Sequence, residues 1–240
     1  MPAHSSSAPG ASGAIRALEL RWVRPPRQAR SQETLDRLLD AAEQLVAEKG
    51  FEDATIAELV RRAGSSVGAF YARFRDKDGL LYALYERYLE QAMATTDAAL
   101  DPGRWAGASI PEIVRAVVPF LVSVYRERAG LIRAFVLRNH VDPGFRARQE
   151  RLSHYVNAGL ARLLTARAAE IGHPDPVRAA TFGLTMTVNT IESAVLFGEL
   201  RSSALTLSDE ELAAELIRAF LAYLGVHDPS RARYPEPTES

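Results

Sequence analysis

The feature that most constrains the fold of this chain is a pair of short helical segments between Thr55 and Phe74, separated by a glycine. Thr55 and Glu58 form a T-x-x-E pattern, in which each side chain can pair with a backbone N–H at a helix start. Gly64 can adopt the left-handed conformation that ends a helix. Apolar residues at three- and four-residue steps give the first helix one buried face: Ile56, Leu59, Val60 and Ala63. The pattern predicts a short helix closed by a glycine turn.

A second helix is predicted directly after that turn, with either Ser65 or Ser66 as its cap. Phe70 and Phe74 lie one helical turn apart, and we expect both rings to face inward. Two short helices joined by a glycine turn form a helix-turn-helix motif, whose second helix enters the major groove of DNA. The motif therefore predicts a DNA-binding unit, with an ordinary helical hairpin as the alternative.

The order of residues in this segment resembles the DNA-binding motif of TetR/AcrR-family transcriptional regulators. The matching positions run from the first capping residue to the start of the next helix: Thr55, Ala63, Gly64, Ser66, Gly68, Phe70, Tyr71, Phe74 and Lys77. Ala69 and Ala72 stand where the family usually has a threonine and a ring residue. The resemblance implies an all-α fold and a homodimeric repressor that binds an inverted-repeat operator and responds to a small molecule.

Contacts with DNA are expected from the second helix and its flanks. Val67 and Ala69 offer only apolar contact, for example to a thymine methyl group, and Ser66 offers a hydrogen bond. Arg73 is the longest hydrogen-bonding side chain there, although it could instead pair with a carboxylate. Lys77 is interpreted as a phosphate ligand, with a buried salt bridge as the alternative. The full predicted DNA-binding set is Arg30, Thr55, Ser66, Val67, Gly68, Ala69, Tyr71, Arg73 and Lys77.

The charge distribution places attraction for DNA near the start of the chain. The net charge of the 240 residues is −1, but residues 1–32 carry five arginines against one glutamate, a local charge of +4. The remaining 208 residues therefore carry −5. Because binding to phosphates depends on local positive charge, we expect a contribution from the arginines just before the first helix.

The rest of the sequence predicts helices, and hence an all-α fold with two domains. The predicted organisation is a disordered basic arm at 1–29, a helix-turn-helix domain at 30–76, a helical regulatory and dimerisation domain at 77–225 and a disordered tail at 226–240. Besides the two short helices of the motif, helices are expected at about 31–50, 77–100, 111–126, 131–139, 145–171, 176–200 and 208–224. The helix that starts at Lys77 is the predicted mechanical link between the two domains.

The resemblance also implies a mostly apolar cavity for a small-molecule effector, which would then be apolar or aromatic. The residues assigned to it are Phe120, Tyr125, Phe135, Tyr155, Phe182, Met186 and Asn189. Asn189 and Glu192 interrupt an apolar helical stripe, and a buried amide or carboxylate needs a partner. The implied dimer interface comprises Gly183, Ala194, Gly198, Leu216 and Phe220, with packing inside one chain as the alternative.

Other function classes find less support in the sequence. The absence of cysteine excludes disulfides and thiolate metal sites, and no metal or cofactor is predicted. The segment from Gly64 to Gly68 matches the G-x-S-x-G elbow of hydrolases, but that motif needs a preceding strand, and a capped helix is predicted there instead. We therefore expect no enzyme, and a cytoplasmic protein without a membrane span. The alternative function is a TetR-like DNA-binding protein without an inducer, regulated by a protein partner.

Overall fold

The computed structural model describes residues 29–197 and 206–226, with side chains from residue 32 onward. Most of the predicted arm and tail, Gly198 and the side chain of Arg30 lie outside this part of the chain. Within the described ranges the structure contains nine α-helices, a 3₁₀ turn and a π-helical segment. The predicted all-α fold is confirmed.

The helices follow each other in chain order with short connections. The first four are α1 (Ala29–Lys49), α2 (Ile56–Arg62), α3 (Val67–Tyr71) and α4 (Lys77–Ala99). They are followed by α5 (Ile110–Glu127), α6 (Ala129–Asn139), α7 (Pro143–Thr165), α8 (Pro176–Ile191) and α9 (Asp209–Leu224). The 3₁₀ turn spans Ala168–Glu170, and the π-helical segment spans Glu192–Phe197.

Two compact units divide the chain, an N-terminal unit (Met1–Tyr88) and a C-terminal unit (Leu89–Ser240). The division falls within α4, later than the predicted boundary at residue 77. The reason is that the first turns of α4 belong to the N-terminal unit and bury their apolar side chains: Leu80, Leu81, Leu84 and Tyr85. A helix start is therefore a poor marker of a domain boundary here.

The core of the N-terminal unit forms around two phenylalanine rings. Phe70 and Phe74 are fully buried, with ring centroids 5.1 Å apart. Phe51, which follows the left-handed Gly50, is also buried. Because α2 and α3 are only seven and five residues long, their helical structure depends on this packing rather than on local propensity.

In the C-terminal unit, α8 packs against α7 and α9, and α9 also packs against α5. The helix predicted for residues 145–171 ends at Thr165, where Arg167 turns to the preceding loop and donates to the carbonyls of Ala108 and Trp105. The helix predicted for residues 176–200 changes to π geometry at Glu192. The first of these helices is thus shorter than its apolar periodicity indicated, and the second remains helical up to Phe197 with a change of geometry.

The close packing of α8 and α9 within one chain depends on Gly183. A Cβ atom at this position would lie 2.1 Å from Cε2 of Phe220, so only glycine admits the ring. Phe220 and Leu216 are buried, at 1% and 5% exposure. All three residues therefore pack inside the chain, and their assignment to a dimer interface stays a prediction. Ala194 is half-buried in the π-helical segment.

Three residues assigned to the effector cavity are exposed in the chain, and their assignment to a cavity stays a prediction: Phe120, Phe182 and Asn189. Helix α8 buries its face through Ala179, Gly183 and Thr187 instead. Because successive residues turn by about 100° around a helix, Phe182 and Asn189 fall outside that buried face. Spacing alone identified an amphipathic helix but not which side meets its neighbours.

Gly183→Ala should destabilise the protein by about 1–3 kcal/mol, because the added methyl group overlaps the Phe220 ring and forces one helix to shift. Urea unfolding measures the free energy of unfolding. Gly103→Ala is a matched control, since a Cβ there would lie 3.5 Å from Asp101 Oδ2, an ordinary contact. Equal stability of the two variants would contradict the close approach of α8 and α9.

Candidate nucleic-acid interface

Helix α2 begins with the predicted reciprocal cap. The Glu58 N–H donates to Thr55 Oγ1 at 3.3 Å, and the Thr55 N–H donates to Glu58 Oε2 at 3.2 Å. Gly64 ends the turn with a φ of +57°, the left-handed conformation expected from the sequence. Leu59 and Val60 are buried as predicted. The local signals in the sequence therefore fixed both ends of this helix.

Two ion pairs that were not predicted hold α2 against the end of α1. Lys49 Nζ lies 2.6 Å from each carboxylate oxygen of Glu58. Arg62 makes a bidentate contact with Glu48, at 2.6 and 2.8 Å. The two pairs engage opposite ends of α2, so that they oppose both sliding and rotation of this helix. The hydrogen bonds from Lys49 and Thr55 lower the pKa of the Glu58 carboxyl to about 2.

Helix α3 is capped by Ser66, which resolves the choice between the two serines. The Ala69 N–H donates to Ser66 Oγ at 3.1 Å. The element before this serine is helix α2, whereas the nucleophile elbow of hydrolases needs a strand at that point. The G-x-S-x-G order thus belongs to a helix-turn-helix turn.

The outer face of α3 is small and apolar. Val67 is 47% exposed and Tyr71 is 50% exposed, and the Tyr71 ring meets the buried Phe70 ring edge-on at 5.3 Å. Gly68 is exposed, and Ala69 is half-buried. The structure thus brings the predicted residues of α3 together on one accessible surface, while Thr55 serves as the cap of α2.

Lys77 has a structural role that was missed in the sequence. Its Nζ donates to the carbonyl oxygen of Glu52 at 2.8 Å and lies 4.5 Å from the centroid of the Phe51 ring. The side chain is half-buried, and an ammonium group has three N–H donors. Lys77 therefore joins the start of α4 to the connection after α1 and still has donors for a phosphate. The ammonium partner is a carbonyl rather than the carboxylate of the salt-bridge alternative.

Other basic side chains surround α3. Arg73 is half-buried, whereas Arg61 and Arg75 are exposed, and 76% of the Arg75 side chain is accessible. Asp76 caps α4, and its Oδ1 accepts from the Gly79 N–H at 2.8 Å. Arg61 and Arg75 were not in the predicted set, although their positions on either side of the motif could have indicated them. They extend the positive charge around the apolar face.

A third ion-pair cluster fixes α4 to α1. Arg87 lies 2.6 Å from Asp40 and 2.8 Å from Glu43, and its side chain is only 18% exposed. These residues are more than 40 positions apart in sequence, so no local pattern indicated the contact. The cluster makes the first turns of α4 a fixed part of the N-terminal unit.

The C-terminal unit contains one half-buried carboxylate with a tyrosine partner. The Tyr125 hydroxyl donates to Glu192 Oε1 at 2.9 Å, at the start of the π-helical segment. Burial raises the pKa of Glu192, and the hydrogen bond from Tyr125 offsets part of this effect. Phe135 is buried, and Met186 is half-buried. The expectation that Glu192 needs a partner is confirmed, with Tyr125 in that role.

Tyr155 lies in a different place from the other predicted cavity residues. It lines an open groove of about 200 Å³ together with Asp97, Asp101 and Arg162, and its hydroxyl donates to Asp97 at 2.5 Å. Of the predicted cavity residues, Tyr155 lines this groove and the other six do not. Among the residues that the structure describes, no cluster of histidine and acidic side chains could hold a metal ion, and no helix is long and apolar enough to span a membrane.

Two family models match this chain. The model described as bacterial regulatory proteins, tetR family, matches residues 38–84, which contain α2, α3 and the start of α4. The model described as tetracyclin repressor-like, C-terminal domain, matches residues 109–224, which contain α5 to α9. The chain belongs to the TetR family. The two matches together cover about two thirds of this TetR-family protein and agree with its two units.

Curated relatives are similar to this protein only in the DNA-binding segment. BetI, an HTH-type transcriptional regulator of Escherichia coli, is 51% identical over 47 residues, 20% of this chain and 24% of BetI. YvdT, an HTH-type transcriptional regulator of Bacillus subtilis, is 34% identical over 58 residues, 24% of this chain and 30% of YvdT. The chain thus spans less than a third of the length of these relatives.

Solved structures share the fold over most of the chain. A TetR-family transcriptional regulator from Mesorhizobium loti has a TM-score of 0.64 at 21% identity, covering 81% of this chain and 98% of its own. SmeT, the repressor of a Stenotrophomonas maltophilia multidrug efflux pump, has a TM-score of 0.59 at 22% identity. The match covers 85% of this chain and 100% of SmeT. FadR from Bacillus subtilis, solved in complex with stearoyl-CoA, has a TM-score of 0.56 at 18% identity. The match covers 80% of this chain and 99% of FadR.

The Lys49–Glu58 pair should make the stability of the protein depend on acidic pH. The folded pKa of Glu58 is about 2, below the unfolded value of about 4.3, so the carboxylate stabilises the fold above pH 4.3 and this contribution is lost as the pH falls towards 2. Glu58→Gln should therefore lower the thermal midpoint at pH 7 but change it little near pH 2. The same difference at both pH values would show that the charge on Glu58 does not contribute.

Proposed function

We propose that this protein is a sequence-specific transcriptional repressor that binds an inverted-repeat operator as a homodimer and is released by a small-molecule effector. The observation that carries the DNA-binding part is the exposed face of α3 inside a TetR-type motif, with basic side chains on its flanks. In a helix-turn-helix the second helix lies in the major groove, while neighbouring groups bind the phosphates.

The positions of the side chains suggest which groups contact the bases and which contact the phosphates. Val67, Gly68 and Ala69 lie where a helix of this motif meets base edges, and the exposed Tyr71 hydroxyl can donate to a phosphate. The remaining N–H donors of Lys77 and the exposed Arg61 and Arg75 supply positive charge nearby. Close approach of the backbone and placement of phosphates would therefore provide much of the affinity.

For the dimer, we propose the exposed side of α8 and α9 in place of the buried residues first assigned to it. Phe182 is 53% exposed, and its ring lies 5.1 Å from the half-buried Tyr223 ring, while Val177 is 58% exposed. Large exposed apolar side chains on adjacent helices favour a second copy as their cover. An inverted-repeat operator requires a two-fold dimer whose two copies of α3 lie about 34–36 Å apart.

For the effector, the contact between Glu192 and Tyr125 suggests one polar anchor among mostly apolar buried side chains. An apolar or aromatic compound with a single hydrogen-bonding group would suit such a site. The effector must bind the non-DNA-binding arrangement more tightly, because equal affinity for both arrangements would shift nothing. The continuous helix α4 joins the two units and is the proposed route of this coupling.

Lys77→Ala should weaken DNA binding about equally on all sequences and reduce the slope of log affinity against log salt by about 0.9, the value for one lost phosphate contact. Fluorescence anisotropy on a labelled duplex at several salt concentrations measures both quantities.

Lys49→Ala is the matched control for this measurement. It also removes one positive charge and one structural contact from the N-terminal unit, but its ammonium group is paired with Glu58. The salt slope should remain that of the original protein in the control. An unchanged slope in Lys77→Ala would leave Lys77 with the structural role alone.

Glu192→Gln should raise the thermal midpoint at pH 7, because it removes a carboxylate whose charge is disfavoured by burial. The folded pKa of Glu192 lies above its unfolded value, so the charged carboxylate destabilises the fold increasingly as the pH rises from about 4.3. The gain in thermal midpoint of Glu192→Gln should therefore shrink as the pH falls towards 4. Tyr125→Phe should act in the opposite direction, since it removes the hydrogen bond to the carboxylate. A pH-independent gain in Glu192→Gln would contradict this explanation.

A further inference from the structure

The recognition surface of α3 is unusual in its chemistry. The helix consists of Val67, Gly68, Ala69, Phe70 and Tyr71, so its only side-chain hydrogen-bonding group is the Tyr71 hydroxyl. The Ser66 hydroxyl oxygen before it already accepts from the Ala69 N–H. The amide and guanidinium groups that usually distinguish adenine and guanine are absent from this helix. Val67 and Tyr71 are its large exposed side chains, at 47% and 50% exposure, and the isopropyl group of Val67 is wholly apolar.

Gly68 is not required by the fold of the chain itself. It lies inside a helix, where glycine is less stable than alanine, and its φ is not in the left-handed region. A Cβ atom at this position would meet only Ser66 Oγ, at a comfortable 3.9 Å. Neither backbone conformation nor packing within the chain explains the glycine. An external surface that approaches this side of α3 closely would explain it.

We propose that α3 recognises its operator through the 5-methyl groups of pyrimidines, with Val67 as the specificity-determining residue and Gly68 providing clearance for the bases. This inference rests on the proposed DNA-binding function. Among the four bases, only thymine presents an apolar methyl group in the major groove. The isopropyl group of Val67 matches it in polarity, and the exposed Arg61 and Arg75 favour the surrounding phosphates.

One consequence concerns modified DNA. 5-Methylcytosine carries its methyl group at the same ring position as thymine, whereas uracil lacks it. A helix that recognises the methyl group should therefore bind more tightly when a cytosine in its path is methylated, and more weakly when a thymine is replaced by uracil. Operator binding by this protein would then respond to cytosine methylation.

The test combines changes in the base and in the side chain. Duplexes recovered from a random pool by the original protein are resynthesised with uracil in place of each thymine in turn. At one or two positions per half-site, we expect an affinity loss of about fourfold, the value for one buried methyl group. Val67→Ala should weaken binding to the thymine duplex and abolish the difference between thymine and uracil at those positions.

Three outcomes are distinguishable. Equal affinity for thymine and uracil at every position would overturn the proposal while leaving DNA binding intact. A uracil effect that persists in Val67→Ala would also overturn it, because another residue would then contact the methyl group. Failure to recover any sequence from the pool would instead contradict the proposed function. Circular dichroism of Val67→Ala should show an unchanged fold, since the side chain is half exposed.

Gly68→Ala tests separately whether Gly68 provides clearance for the bases. Its thermal midpoint should rise, because alanine stabilises a helix relative to glycine and the structure leaves room for the methyl group. Its affinity for the recovered duplexes should fall by at least about tenfold, because the added methyl group keeps α3 away from the bases. A variant that is more stable and binds DNA as tightly as the original protein would overturn the clearance role.

Discussion

The orientation of α3 depends on ion pairs made by its neighbour rather than by α3 itself. A helix of five residues has no stability of its own, and α3 is held by the buried rings of Phe70 and Phe74 and by its connection to α2. Helix α2 is in turn fixed to α1 at both ends, through Lys49–Glu58 and Arg62–Glu48. A surface with few hydrogen-bonding groups must be positioned accurately on DNA, because its specificity then depends on shape and close approach rather than on hydrogen bonds to bases. These contacts satisfy that requirement.

The N-terminal unit was predictable where its signals are local. The reciprocal cap of Thr55 and Glu58, the left-handed Gly64 and the inward Phe70 and Phe74 each depend on residues within four positions, and all are confirmed. The contacts that join its helices were not predictable. The partners of Arg87 and Lys77 lie 25 or more positions away in sequence. The sequence around a charged residue does not indicate which distant residue it will contact.

In the C-terminal unit, spacing predicted helices but not their orientation. Apolar and small residues occur on several sides of α8 and α9, so the sequence alone could not show which side faces the core. The overlap between a Cβ at Gly183 and the Phe220 ring places that side inside the chain. Phe182 consequently faces outward. Glu192 was recognisable as a polar interruption, but its partner Tyr125 lies 67 positions away on α5.

We propose that this TetR-family protein presents two symmetry-related copies of a rigid, largely apolar α3 to DNA. Selection of bound duplexes from a random-sequence pool by the full chain tests this most directly, because a two-fold dimer leaves its symmetry in the recovered sequences. A two-fold dimer should recover two inverted copies of a short half-site, with centres about one helical turn of DNA apart. Recovery of a single, unrepeated site would contradict the dimer, and a pool without enrichment would contradict sequence-specific recognition by α3.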